Sequence, residues 1–179
     1  MKRSLLIFLL VLFSVTNLPS VFAQQISTST AALNVEYTLP WTGILPDNPL
    51  YFLKALRDNA YALLITDPLK KSEYDLLMAD KRLGAAAILV DEKKVDLAIT
   101  TLSKSGNYFY LAIQQAANVK KQGKNADEIL AKLLTASLKH QQIIFLMEEK
   151  TTGAARLVLQ VSQKRAEGFQ KSVEELKAK

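Results

Sequence analysis

DPLKKSEYDLLMADKRLGAAAILV, residues 67–90, decides the fold. Asp67 offers a side-chain cap directly ahead of Pro68. The fixed φ and missing N–H of Pro68 suit a first helical position and end any preceding helix near Thr66. From there Leu69, Ser72, Leu76, Ala79, Leu83, Ala86 and Val90 recur every three or four residues, which is one face of a helix, while Lys71, Glu73, Asp80, Lys81 and Arg82 fall mostly elsewhere. Ala85, Ala86 and Ala87 permit close approach of a neighbouring helix.

The same spacing returns downstream. Asp91-Glu92-Lys93-Lys94 interrupts it, and Val95, Ala98, Leu102, Ser105, Phe109, Ala112, Ala116 and Val119 resume it as a third helix. Lys120, Lys121 and Lys124 gather where a helix C-terminus favours cations, and Gly123 is a natural stop. Asn125 with Glu128 forms a capping box for a fourth helix, with Ile129, Leu133, Ala136, His140, Ile143 and Met147 inward. Glu148 and Glu149 oppose the dipole at a helix end, so a break is expected over Lys150 to Gly153. A fifth helix then runs from about Ala154 with Val158, Val161, Arg165, Phe169, Val173 and Leu176 as its seam. Upstream, Asp47-Asn48-Pro49-Leu50 repeats the cap-before-proline device and opens a shorter first helix. The expectation is an all-α fold over residues 44–179: an antiparallel bundle of four long helices with a short N-terminal helix across one end. No period of about 34 residues argues for a helical-repeat solenoid.

The N-terminus speaks to destination. Lys2 and Arg3 precede an apolar run from Leu5 to Val15, and Val21-Phe22-Ala23 is a small-x-small cleavage signature, so residues 1–23 read as a signal peptide cut between Ala23 and Gln24. The run is shorter than the roughly 20 residues a spanning helix needs, so no stable membrane span is expected after cleavage. Residues 24–43, rich at first in Ser, Thr, Ala and Gln, read as a flexible linker. The chain has 23 Lys and Arg against 17 Asp and Glu. The cations are spread singly or in pairs beside acidic residues, a solvated surface rather than a nucleic-acid stripe. Zero Cys excludes disulfides, thiolate catalysis and thiolate metal sites.

Chemistry-bearing groups are sparse. Leu39-Pro40-Trp41-Thr42-Gly43 matches the LPxTG pentapeptide that sortases use. It lies far from the C-terminus with no apolar span and basic tail behind it, so it reads instead as a turn with Trp41 packed on the end of the bundle. His140 is the one imidazole, too few for a zinc or copper site, and no cofactor is expected. Ser137, three residues earlier, could meet it as nucleophile and base, yet a regular helix supplies neither an elbow nor donors for an oxyanion. A half-buried histidine hydrogen-bonded to a neighbouring helix is the simpler role. The carboxylate pairs Asp91-Glu92, Asp127-Glu128, Glu148-Glu149 and Glu174-Glu175 diverge by about 100° on a helix and form no shared-proton dyad. Tyr108, Phe109 and Tyr110 are either ordinary packing or the rim of a ligand groove.

Ile44-Leu45-Pro46-Asp47-Asn48-Pro49-Leu50-Tyr51-Phe52-Leu53-Lys54 resembles the opening L-P-D-S-P-L-Y-x-x-K of a bacterial family catalogued as domain of unknown function 5667. The resemblance continues through Asp67-Pro68 with Lys70-Lys71, Met78 to Leu83, Lys139-His140 and Val161 to Lys164. It implies an all-helical module of exported or membrane-anchored bacterial proteins, in some cases the outer portion of regulators, and it brings no activity, substrate or catalytic residue.

The functional expectation is therefore a non-enzymatic extracytoplasmic domain that binds another envelope protein or a wall component, with no nucleic-acid partner. The alternative is a carrier of small apolar ligands, using a cavity among Tyr108, Phe109 and the alanine-rich part of the second helix. A hydrolase built on His140 comes last.

Overall fold

The computed structural model describes residues 35–178, where five helices and no strand are found. The expected leader, its Ala23–Gln24 junction and residues 24–34 of the expected linker lie outside the described residues. The helices are α1 (Tyr51–Leu64), α2 (Pro68–Asp91), α3 (Val95–Lys121), α4 (Asp127–Glu149) and α5 (Gly153–Ala178). Connections of three to five residues reverse the chain between the four long helices, giving the antiparallel packing expected of such short links. The tightest pairs are α2 with α3 and α4 with α5.

Helix boundaries follow local chemistry. Asp67 caps α2 by accepting from Lys70 N at 2.9 Å, with Pro68 first in the helix. The turn after α2 closes with Lys93 at φ 63° and Lys94 N donating to Leu89 O, while Lys94 Nζ pairs with Asp47 and Glu92. Those two carboxylates push the Lys94 ammonium up to about 12, Asp47 contributing most. Gly123 and Gly153 take φ 70° and 63°, the left-handed conformation a side chain disfavours, at the next two turns. Two expected caps shift. Asn48 Oδ1 accepts from Leu50 N and Asn125 Oδ1 from Asp127 N, so each makes a tight turn just ahead of its helix, and Pro49 precedes α1 rather than opening it. Glu148, awkward at the end of α4, accepts from Arg156 Nε (3.1 Å) and Gln160 Nε2 (2.9 Å) of α5.

Two apolar clusters fill the bundle, one around Leu76, Phe109, Leu133, Phe169 and Val173, the other around Leu83, Leu89, Leu102, Met147 and Leu159. Each fully buried large side chain contributes about 1.5–3 kcal/mol. Small residues bring α2 and α3 together: Ala79, Ala86, Ala98, Ala112 and Ala116 are fully buried. At that close approach Ser72 Oγ donates to Ala112 O (2.7 Å) and Ser105 Oγ to Ala79 O (2.8 Å). The seams of α2, α3 and α4 are buried as expected apart from Leu69, Val95 and Ile143, which are half-buried; Ile144 takes the inward place beside Ile143. The α5 seam is corrected in its first half: Leu159 and Ala166 face inward, and Val158, Val161 and Arg165 do not. A straight helix drifts at 3.6 residues per turn, and the phase set by Phe169 and Val173 reaches Ala166 and Leu159 when run backwards.

Residues 35–43, expected as linker, lie against this bundle. Tyr37 and Leu39 pack on the two clusters, and Thr42 is buried at a notch left by Gly84. Trp41 is the exception. It is 85 % exposed rather than packed on the end of the bundle.

Candidate functional site

Helix α1 is amphipathic, but its polarity is inverted. At 100° per residue Phe52, Leu53, Leu56, Ala60, Leu63 and Leu64 share one side, opposite Asp58 and Tyr51. The side turned to the bundle carries two of its three charged groups: Asp58 is buried, and Lys54 is half-buried, donating to Thr42 O (2.7 Å) and Ile44 O (3.2 Å), while Arg57 is exposed and pairs with Asp58. The apolar side faces solvent. Leu63 is 84 % and Leu64 78 % exposed, with Phe52, Leu53 and Leu56 each at least half exposed. Leu50 and Trp41 extend the same surface around a hollow of about 530 Å³, whose wall also holds Ile44, Leu53, Arg57 and Lys81.

Polar groups hold α1 in this orientation. Tyr74 Oη donates to Asp58 O (2.7 Å) and Lys71 Nζ to Ala62 O (3.0 Å), while the Tyr61 and Tyr74 rings meet at 5.6 Å. Burial, then the Asp58 charge, pushes the Tyr74 phenol up to about 12. Also on α2, Asp75 is almost fully buried and its Oδ2 has no hydrogen-bond partner. Burial holds that carboxyl above its ordinary range. Arg82 stacks on the Tyr108 ring at 4.4 Å with its Nε unpartnered.

A second polar group crosses the bundle. His140 Nε2 lies 2.8 Å from Asp80 Oδ1, and Tyr37 Oη donates to Asp80 Oδ2 at 2.5 Å. A carboxylate only accepts, so the tautomer protonated on Nε2 fits. Burial and the Asp80 charge drive the Tyr37 phenol well above its usual range. The His140 ring meets Phe109 edge-on at 4.7 Å, and Phe109 stacks on Phe169 at 5.0 Å. His140 thus makes the interhelical hydrogen bond of the simpler reading, but it is fully buried rather than half-buried. Ser137 Oγ donates back to Leu134 O (2.7 Å), so Ser137 and His140 are not joined as a dyad.

Tyr108, Phe109 and Tyr110 point three ways: under Arg82, into the core and toward solvent. They do not line one groove. Among the described residues, no group of three or more His, Cys, Asp and Glu could hold a metal ion, and no helix is long and apolar enough to cross a membrane. Asp47 pairs with Lys94, Lys54 ties α1 to residues 42–44 and stands 5.6 Å over the Tyr51 ring, and Asp67 and Pro68 start α2. Leu45 and Pro46 are half-buried, whereas Pro49 and Leu50 are exposed ahead of α1. The outward apolar side of α1 is what sequence reasoning missed. Its periodicity was visible, but nothing in it says which side meets the bundle.

No curated protein and no solved structure matches the chain. The family described as Domain of unknown function (DUF5667) matches residues 43–178, and the chain belongs to that family.

Proposed function

We propose that this is a non-enzymatic extracytoplasmic module that binds another protein of the cell envelope through the outward side of α1 and the adjoining Trp41. One observation carries the reading: five large apolar side chains of a single helix are turned to solvent while its aspartate is turned inward. Contiguous exposed apolar surface on a folded domain marks an interaction site. Aromatic residues and arginine, present here as Trp41, Phe52 and Arg57, are the types enriched at protein interfaces. A wall glycan, polar along its length, suits this surface less well than a second protein does. Export is supported by the signal-like residues 1–23, which put the partner outside the cytosol.

The test is crosslinking followed by capture from envelope fractions, comparing the wild-type chain with a Leu56→Asp/Leu63→Asp variant. A protein recovered by the wild type and lost with the variant supports the reading. An identical set of captured proteins from both, or none above background, overturns it.

A further inference from the structure

The bundle is not fully closed between α3 and α5. Val158 and Val161 are 43 % and 68 % exposed, and with Leu102, Ile144, Ala166 and Phe169 they wall a cleft of about 270 Å³. The polar groups in that wall are largely engaged elsewhere. Ser105 Oγ donates to Ala79 O, Ser162 Oγ to Val158 O, and His140 Nε2 is held by Asp80.

Arg165 supplies the cation of this wall. Its guanidinium lies flat on α3 over Gly106, where a Cβ would come within 2.9 Å of Nη1, so the glycine makes the resting place. Nη2 donates to Asn107 Oδ1 at 3.0 Å, a neutral amide rather than a carboxylate, and the guanidinium carbon stands 5.3 Å from the Phe169 ring centroid. An arginine positioned on a glycine step and an aromatic ring, at an apolar cleft, is suited to an anion that carries an apolar body.

We propose that the α3–α5 cleft binds a medium-chain fatty acid, with its carboxylate on Arg165 and its chain among Leu102, Ile144, Val158 and Val161. Size sets the chain length. At roughly 30 Å³ per water-sized group the cleft holds on the order of ten non-hydrogen atoms, about those of octanoate. Charge complementarity sets the head group. The site shares no residue with the outward side of α1, so it stands or falls independently of the protein-binding reading.

Isothermal titration of the full-length chain, purified without detergent, with octanoate tests the proposal; octanol and octylammonium serve as controls. Octanoate is expected to bind one to one, with each control at least about tenfold weaker, a difference of about 1.4 kcal/mol. Arg165→Gln should weaken octanoate about tenfold, and Gly106→Ala should weaken it by displacing the guanidinium. Arg165 is exposed, so its variant should keep the helical circular dichroism even if Gly106→Ala does not. Val161→Trp, on an exposed position, should block the cleft while leaving Arg165 in place. No heat from octanoate at millimolar concentration, equal binding of octanol, or full affinity in Arg165→Gln would overturn the proposal.

Discussion

His140 on α4 and Asp80 on α2, sixty residues apart in sequence, form a buried pair at 2.8 Å, and the other carboxylate oxygen is bonded by Tyr37. Both side chains are buried, so removing His140 leaves the Asp80 carboxylate with Tyr37 alone, and removing Asp80 leaves His140 Nε2 without its partner. His140→Leu is expected to cost about 3 kcal/mol in urea unfolding at pH 7, because breaking a buried pair leaves an uncompensated polar group. Asp80→Asn should be costly too, and the double variant should show a coupling energy above about 1 kcal/mol. Additive effects would mean that the pair contributes little beyond packing.

Gly84 and Thr42 set two effects against each other. Alanine in place of a helical glycine ordinarily gains up to about 1 kcal/mol, but the added Cβ would stand 2.8 Å from Thr42 Cγ2. Crowding of that kind costs about 1–3 kcal/mol, so Gly84→Ala is expected to destabilise and to raise amide exchange across residues 35–43. Thr42→Ser removes the offending methyl group. Gly84→Ala/Thr42→Ser should therefore be at least as stable as the wild type, and a double variant no better than Gly84→Ala alone would refute the contact.

How much of this was legible depended on whether the local pattern had a single reading. Asp67-Pro68 and the seam from Ser72 to Val90 admit one, and α2 follows it nearly residue for residue. Leu157-Val158-Leu159 admits three phases, and only the long-range packing of Phe169 and Val173 selects Leu159. His140 could be placed on an inward seam because that seam is apolar around it. Its partner could not, since Asp80 looked like a surface charge on α2 and burial of a charge is decided by what packs over it. The same holds for Asp58 on α1 and Asp75 on α2, both buried. Helical spacing reveals that α1 has two sides, but the inward choice comes from the polar groups of α2 that receive it.

Outward exposure of α1 makes a stability prediction opposite to the usual one for leucine. Leu56→Lys and Leu63→Lys should shift unfolding by no more than about 0.5 kcal/mol, the range of surface substitutions. Leu83→Lys, at a fully buried position of the same residue type, should abolish cooperative thermal unfolding. Thermal melts followed at 222 nm separate the cases: a transition within about 2 °C of the wild type for each α1 variant, and no cooperative transition for Leu83→Lys. Large destabilisation by Leu63→Lys would show that this side of α1 is covered within the folded chain.

Asp75 carries the clearest pH signature. Burial raises its folded-state pKa above the ordinary 3.8, with the Lys71 charge only partly opposing. A carboxyl raised on folding favours the folded state while protonated, so its contribution is fully present below the unfolded value and is lost as pH rises through the folded one. As pH rises through the folded value, the buried carboxyl, whose Oδ2 has no hydrogen-bond partner, therefore becomes a liability. Asp75→Asn should raise Tm at pH 7 by roughly 2–4 °C, the shift about 1 kcal/mol gives a domain of this size, because a neutral amide fills the same space without the buried charge. The advantage should shrink as pH falls toward 3.8 and below, where the wild-type side chain is itself neutral. Melts of both proteins between pH 3 and pH 8 measure the difference directly; a gain independent of pH, or a variant less stable at pH 7, would place the carboxylate in a compensating contact.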